Sequence, residues 1–285
     1  MKRQPAPLYE GPTVSGIDVS HWQGSIDWAR VAASGQKYAI VRTGDGKDTD
    51  RKAVRNLQGA HDAGLPCAVY HYMRARHGAG VNLGVLMDVL AHARGVPLGF
   101  VAIDVEGAPG KGSREASGAW MGDVSTEDVL RCVDSMGRLL EGAGHRVVIY
   151  TGVAWHWHVA QQGLGQFAER WASWQPYYTH RDRPSVVSYP DGSPVWEWQI
   201  WQHAGSKSIP GSVPGIDGNV DLNRFRGDEL ALRAWWSPGH RSTPPAPRPA
   251  FARSEIEHLA ERAKGAGDVR AANALLGALD LLDKP

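Results

Sequence analysis

The chain has 285 residues, 42% of them hydrophobic, and 31 basic against 30 acidic side chains. That length and apolar content suffice for a full core, which excludes a disordered chain, and the near-zero charge lacks the clustered basic excess with which nucleic-acid proteins neutralise phosphates. Divided at residue 238 the balance persists, 24 of each sign before it and seven basic against six acidic after it, so neither part reads as a polyanion binder.

Two cysteines, Cys67 and Cys132, are too few for a disulfide framework and read as small buried hydrophobes. The first 14 residues read as an N-terminal extension. It carries Lys2 and Arg3 but then prolines and polar residues, without the apolar run of about 7–15 residues that a secretion signal needs. No run approaches the roughly 18–20 apolar residues of a membrane span, so no membrane insertion is expected.

In chain order, short β-branched apolar runs predict eight strands: Gly16–Ser20, Tyr38–Arg42, Cys67–Tyr72, Phe100–Val105, Val147–Thr151, Arg170–Ser173, Val195–Gln202 and Val220–Asn223. Helical periods fall between the first of these, over Ile26–Ala33, Arg51–Ala63, Val81–Ala93 and Thr126–Glu141, with a shorter one at Trp155–Gln162. Strands joined by helical crossovers and then by loops predict an α/β fold, an irregular TIM-like (β/α)5(β)3 barrel over residues 15–237. Residues 238–250 form a proline-rich linker, and residues 251–285 predict a small C-terminal helical hairpin opened by a Ser254/Glu257 capping box. A hairpin that short needs something to dock on. It is a candidate for wall targeting or self-association.

The chemistry of such barrels sits at the C-terminal strand ends. There, the apolar run Phe100-Val-Ala-Ile-Asp-Val-Glu-Gly107 ends in Asp104 and Glu106, spaced i, i+2. Side chains two apart on a strand share a face, with Cα atoms about 6.6–6.8 Å apart. Glycosidases need such a pair, one group to protonate the leaving oxygen and another to handle the developing positive charge or the attacking group. A lone D-x-E is common and equally fits solvated strand-end acids. The strong apolar strand before it favours function, and Asp18 repeats the arrangement at the end of Gly16–Ser20.

Gly16-Ile-Asp-Val-Ser-His-Trp-Gln-Gly24, Ala102-Ile-Asp-Val-Glu106 and Val220-Asp-Leu-Asn-Arg-Phe225 together resemble glycoside hydrolase family 25, the Chalaropsis-type lysozymes common among phage endolysins and bacterial autolysins. The likeness spans about residues 15–226 in the same order, with Tyr70-His-Tyr72, Tyr150-Thr151 and Trp171-Ala172 also matching strand ends. It implies five β/α units followed by three strands. The implied activity is hydrolysis of the β-1,4 bond between N-acetylmuramic acid and N-acetylglucosamine in bacterial peptidoglycan, with no cofactor and no metal. By that resemblance Glu106 is the general acid/base, and Asp104, Asp18 and Asp221 are the accompanying carboxylates. Asp104 would hold the substrate's acetamido group if that group is the internal nucleophile.

Twelve tryptophans suit a carbohydrate groove, because sugar rings stack on flat apolar faces. The strand-end candidates for binding substrate are Trp22, Tyr70, Tyr72, Tyr150, Trp171, Trp174 and Trp201, with Arg42 and Gln202 as polar contacts. Trp28, Trp120, Trp235 and Trp236 read as core or interface packing. His156 and His158 lack the converging partners of a zinc site, and His21 and His71 are equally consistent with contacting the groove and with structural roles. Asp45, Asp48 and Asp50 resemble a cation loop only superficially. Two other readings stay open. A chitinase-like hydrolase would carry a D-x-D-x-E pattern, whereas Ala102 stands two residues before Asp104. A binding module without turnover would not need all four acids. The missing secretion signal favours an endolysin released through a membrane lesion.

Overall fold

The computed structural model describes residues 2–6, 9–93, 95–106, 124–152, 165–180, 183–188 and 196–237, with Glu261 and Lys264 beyond them. The linker, the predicted hairpin apart from those two residues, the helix predicted at Trp155–Gln162, Trp120, His156 and His158 lie outside the described residues.

Strands β1 (Lys2–Pro5), β2 (Thr13–Val19), β3 (Ala39–Asp45), β4 (Asp48–Thr49), β5 (Cys67–Tyr72), β6 (Leu98–Val105), β7 (Val147–Thr151), β8 (Ala172–Pro176), β9 (Ser185–Ser188), β10 (Trp198–Ala204) and β11 (Asp221–Arg226) follow one another in the chain. Between or after them lie helices α1 (Trp28–Ala33), α2 (Ala53–Asp62), α3 (Gly78–His92), α4 (Thr126–Gly142), α5 (Gly165–Arg170) and α6 (Glu229–Trp236). Eight strands close into a barrel in the order β2-β3-β5-β6-β7-β8-β10-β11, with β11 returning to β2. All neighbours from β2 to β10 are parallel, and β11 runs antiparallel to both β10 and β2. A helix follows each of β2, β3, β5, β6 and β7, and among the described residues none separates β8, β10 and β11. The α/β barrel read from the sequence is the observed architecture.

Alternation along the strands builds two cores, as a sheet covered on one side by helices and closed on the other requires. Outward residues such as Ile17, Val41, Val69, Ile103 and Ile149 pack with Val31, Leu57, Leu86, Val133 and Met136 of the helices. Inward residues such as Ile40, Ala68, Ala102, Val148, Ile200 and Phe225 fill the barrel. The helices present matching stripes: in α2 the buried positions Ala53, Asn56, Leu57 and Ala60 recur at i, i+3, i+4 and i+7. Ser125 caps α4 by accepting from the Asp128 N–H at 3.1 Å, and Glu127 and Asp128 in the first turn complement the helix dipole.

The far end of the barrel is sealed by α6. Trp236 packs on Tyr38 and Phe100 with ring centroids 4.9 Å away in each case, and its indole N–H donates to the Cys67 carbonyl at 2.9 Å. Gly99 has to be glycine there, since a Cβ would lie 2.3 Å from the Trp236 ring. Core packing is thus observed for Trp236 and, against Gly59, for Trp28.

Residues 1–14, expected as an extension, are partly built into the fold. β1 pairs antiparallel with β9, and Thr13 and Val14 already belong to the first barrel strand. Prolines 5, 7 and 12 hide that strand character in the sequence.

Candidate active site

Parity along each strand decides which side chains reach the mouth. On β6, Phe100 and Ala102 point inward, so Asp104 and Glu106 emerge at the end of the same file. β2 delivers Asp18 in the same way. Asp221 arrives differently: it opens β11 rather than ending it, and reaches the same mouth because β11 is antiparallel, pairing Asp221 directly with Asp18. The four predicted acids therefore converge.

Their surroundings raise the proton affinity of all four. Burial pushes Asp18 up from 3.8 to about 6, against hydrogen bonds from Asn223 and Gln202 that lower it. Burial, then Asp18 and Glu106, raise Asp221 to about 8. Asp104 stands well above the usual carboxylate range through burial and the charges of Glu106 and Asp18. Its Oδ1 is buried without a hydrogen-bond partner among the described residues. Glu106 is raised by burial, with Tyr72 and Arg74 pulling the other way, and the Tyr72 hydroxyl lies 3.5 Å from its Oε2. Like charges crowded in a low-dielectric cleft cannot all ionise, so this cluster stores protons near neutrality.

Beneath the acids lies an aromatic floor. Trp174 meets Tyr70 edge-on at 5.7 Å and Tyr150 at 4.7 Å. Trp174 is only 1% exposed, so it supports the site from below and offers no face to a sugar. The Tyr150 hydroxyl donates to Gln202 Oε1 at 2.8 Å, which places Gln202 in the same network as Asp18.

Beside the mouth, the loops after β2 and β3 form a hollow lined by His21, Trp22, Arg42, Asp45, Asp48, Thr49, Asp50 and Arg51. Trp22 is 76% exposed and lies over the His21 ring at 4.5 Å with a 33° tilt. A capping box between Ser20 and Gln23 fixes the turn that carries it. Arg42 donates through Nε to Asp50 at 3.0 Å. Asp50 also accepts from the His21 and Lys52 backbone N–H groups at 2.9 Å each, which with Arg42 hold its carboxyl below the usual range despite burial.

Two more predicted groove residues, besides Trp174, are corrected. Trp171 is 2% exposed and faces the helix layer, stacking on Phe167 and donating its indole N–H to Glu141 at 2.9 Å. Trp201, 1% exposed, packs outside the barrel with Trp198 and Ala6, and donates to the Tyr177 carbonyl. His71 is structural: it lies buried on the outer face of β5 between Thr43 and the Gly46 carbonyl, and burial lowers it to about 4.

Three residues of the site escaped the sequence reading. Asn223 donates to Asp18, and the period of two that singled out Asp104 and Glu106 also links Asp221 to Asn223. Tyr178 donates to Gln202 from the segment after β8, where no periodic signal exists. Asp50 lay in an acidic run dismissed as a cation loop, and no spacing rule marks it as the carboxylate that anchors Arg42.

A family model described as glycosyl hydrolases family 25 matches residues 17–212. The chain belongs to glycoside hydrolase family 25. Among curated relatives of this family 25 protein, Lysozyme M1 of Streptomyces globisporus is 30% identical over 231 residues, which cover 78% of this chain and 70% of that protein. The uncharacterized protein YegX of Escherichia coli O157:H7 is 32% identical over 240 residues, 81% and 76% of the two chains. Among solved structures, the bacterial lysozyme from Streptomyces coelicolor is 28% identical with a TM-score of 0.59, covering 78% of this chain and 96% of that one. A family GH25 lysozyme from Aspergillus fumigatus shares the fold at 21% identity and a TM-score of 0.59, covering 79% and 100%. The protein is a glycoside hydrolase.

Proposed function

We propose that this family 25 hydrolase is a muramidase that cleaves the β-1,4 bond between N-acetylmuramic acid and N-acetylglucosamine in bacterial peptidoglycan, with Glu106 as general acid and base. The observation that carries the reading is the convergence of four acids, Asp18, Asp104, Glu106 and Asp221, over an aromatic floor at one barrel mouth. Glu106 is less buried than Asp104, and its raised proton affinity keeps it protonated for donation to the leaving oxygen.

Asp104 takes the substrate's acetamido group. Its buried, unpartnered Oδ1 supports this, since a polar atom removed from water without a partner is costly unless a ligand supplies one. In the first step the Glu106 proton passes to the glycosidic oxygen, the bond from that oxygen to the anomeric carbon breaks, and the acetamido oxygen bonds to that carbon while its N–H donates to Asp104. In the second, Glu106 takes a proton from water, whose oxygen replaces the acetamido oxygen and regenerates the sugar. Asp18, held by two amide N–H groups, supplies negative charge beside the developing cation, and Trp22 and Arg42 extend the binding surface.

Among the described residues no helix is long and apolar enough to cross a membrane. The proposed place of action is the cell wall, reached as an endolysin after release from a lysing host, and residues 251–285 would target the wall or join two copies.

The test is mass spectrometry of borohydride-reduced products released from peptidoglycan. Muramitol at the new ends is expected; glucosaminitol would assign the other glycosidic bond, and intact strands would leave only a binding module. Glu106→Gln should lower the rate about 10²–10⁴-fold. An unchanged rate removes Glu106 from the chemistry.

A further inference from the structure

The lower half of the site contains two carboxamides, and chemistry alone fixes the orientation of one of them. Asn223 Oδ1 accepts from the Trp174 indole N–H at 2.8 Å. An indole nitrogen is a donor only, so the Asn223 amide cannot be reversed, and its Nδ2 must be the group 2.7 Å from Asp18 Oδ2. Gln202 Nε2 meets the same oxygen at 2.8 Å, while its Oε1 accepts from Tyr150 at 2.8 Å and Tyr178 at 2.7 Å. Tyrosine hydroxyls can donate or accept, so Gln202 could reverse, but only if Asp18 carries a proton to donate. With an ionised Asp18 the reversed amide would set oxygen against oxygen.

We infer that Asn223 and Gln202 are positioning residues that act through Asp18, Asn223 as a fixed donor and Gln202 as a reversible one held by Tyr150 and Tyr178, so that the pair keeps Asp18 anionic and in one rotamer. The inference rests on Asp18 belonging to the reacting set. Hydrogen bonds to the charged form of a carboxyl favour that form. Here they work against burial and, among the described residues, against every acid that faces Asp18: Asp104 at the end of β6, Glu106 just after it, and Asp221 from β11. The hydroxyls of Tyr38, Tyr70, Tyr150 and Tyr178 also face it, all held neutral by burial first and by Asp18 among the charges around them. Two cations act on this group of acids: Arg42 on Asp104 and Tyr70 while tied to Asp50, and Arg74 on Glu106 while tied to Asp45. With no cation bonded to Asp18 itself among the described residues, its two amide donors are what sustain its charge.

The experiment uses the full chain with 13C-labelled aspartate carboxyls, the Asp18 signal being assigned by its loss in Asp18→Asn. Two variants are titrated: Gln202→Glu, which keeps the shape and replaces the donor by an oxygen, and Tyr178→Phe, which removes one hydroxyl at the edge of the mouth and does not touch Asp18. The Asp18 midpoint should rise by about one pH unit in Gln202→Glu and by less in Tyr178→Phe. The acidic limb of kcat on soluble glycan fragments should rise in step, with KM unchanged. An unmoved midpoint in both variants overturns the inference, as does a rate loss uniform across pH. The carboxyl titration needs no turnover. A wild-type chain that released no sugar would refute the proposed function, while the Asp18 midpoints would still decide the role of the two amides.

Discussion

Asp221 and Asp18 are direct partners across the antiparallel β11–β2 pair, and Gly205 makes room for the Asp221 carboxylate against the end of β10. A Cβ on residue 205 would lie 1.7 Å from Asp221 Oδ1, and its φ of +135° is one that side chains other than glycine's rarely permit. The acid pair thus depends on a glycine 16 residues upstream.

Gly205→Ala should therefore displace Asp221 and strain the backbone together. The expected cost is about 2 kcal/mol or more of stability, with kcat reduced at least about tenfold. Urea unfolding and turnover of soluble glycan measure the two. A variant that melts and turns over like the wild type would show that the loop yields without moving Asp221.

Raised acids also make stability fall with alkali. Asp221 titrates at about 8 folded against 3.8 in a free chain, so its proton favours the folded state. That contribution is full below about pH 4 and is lost as pH rises through 8. Asp221→Asn should gain about 1–3 kcal/mol, about 3–8 °C in Tm, at pH 8 and nothing at pH 4. Asp50 has the opposite sign: its pKa is lowered, so its contribution is present above 3.8 and disappears as pH falls through the folded value. Asp50→Asn should cost about 2–4 kcal/mol at pH 7 and progressively less in acid. Melting curves from pH 3 to 9 distinguish the two, and parallel curves for wild type and both variants would contradict both assignments.

The acids were legible in the sequence because a period of two is a local rule. Asp104 and Glu106 share a face whatever the rest of the chain does. The direction of β11 was not legible, since it depends on how the last strands close the barrel, so the strand pattern alone does not bring Asp221 to this mouth and only the family resemblance pointed to it. The misplaced tryptophans follow from applying the rule incompletely. Trp171 and Trp174 are three apart and Trp201 and Gln202 adjacent, so a regular strand cannot turn both members of either pair into the groove. The structure sends Trp174 and Gln202 inward and the other two outward. Tyr178 and the Asp50 anchor depend on loop geometry, which no periodicity encodes.

That division predicts different behaviour for two tryptophans. Trp22→Ala removes an exposed ring beside the mouth, so KM on glycan should rise about three- to tenfold with Tm unchanged. Trp171→Ala removes a buried ring and its bond to Glu141, so it should cost about 3–5 kcal/mol and leave the KM of the folded fraction alone. If Trp171→Ala moved KM and Trp22→Ala did not, the groove would have to be sought on the helix side of the barrel.

The end of the catalytic unit can be located by truncation. Trp235 and Trp236 close the barrel floor, with Phe100 between them at 5.3 and 4.9 Å and Arg146 over the Trp235 ring at 4.6 Å. A chain ending at Ser237 keeps that plug and should melt and cleave soluble glycan as the full protein does. A chain ending at Gly227 loses α6, opens the interior around Tyr38 and Phe100 to water, and should show no cooperative melt, since emptying a core of even one tryptophan costs about 3–5 kcal/mol. If residues 251–285 target the wall or join copies, the Ser237 truncation should also bind insoluble peptidoglycan more weakly or sediment at a lower mass. Unchanged binding and mass would leave those residues without either role, and a fully stable Gly227 truncation would mean that the Trp235 and Trp236 plug contributes nothing to holding the barrel closed.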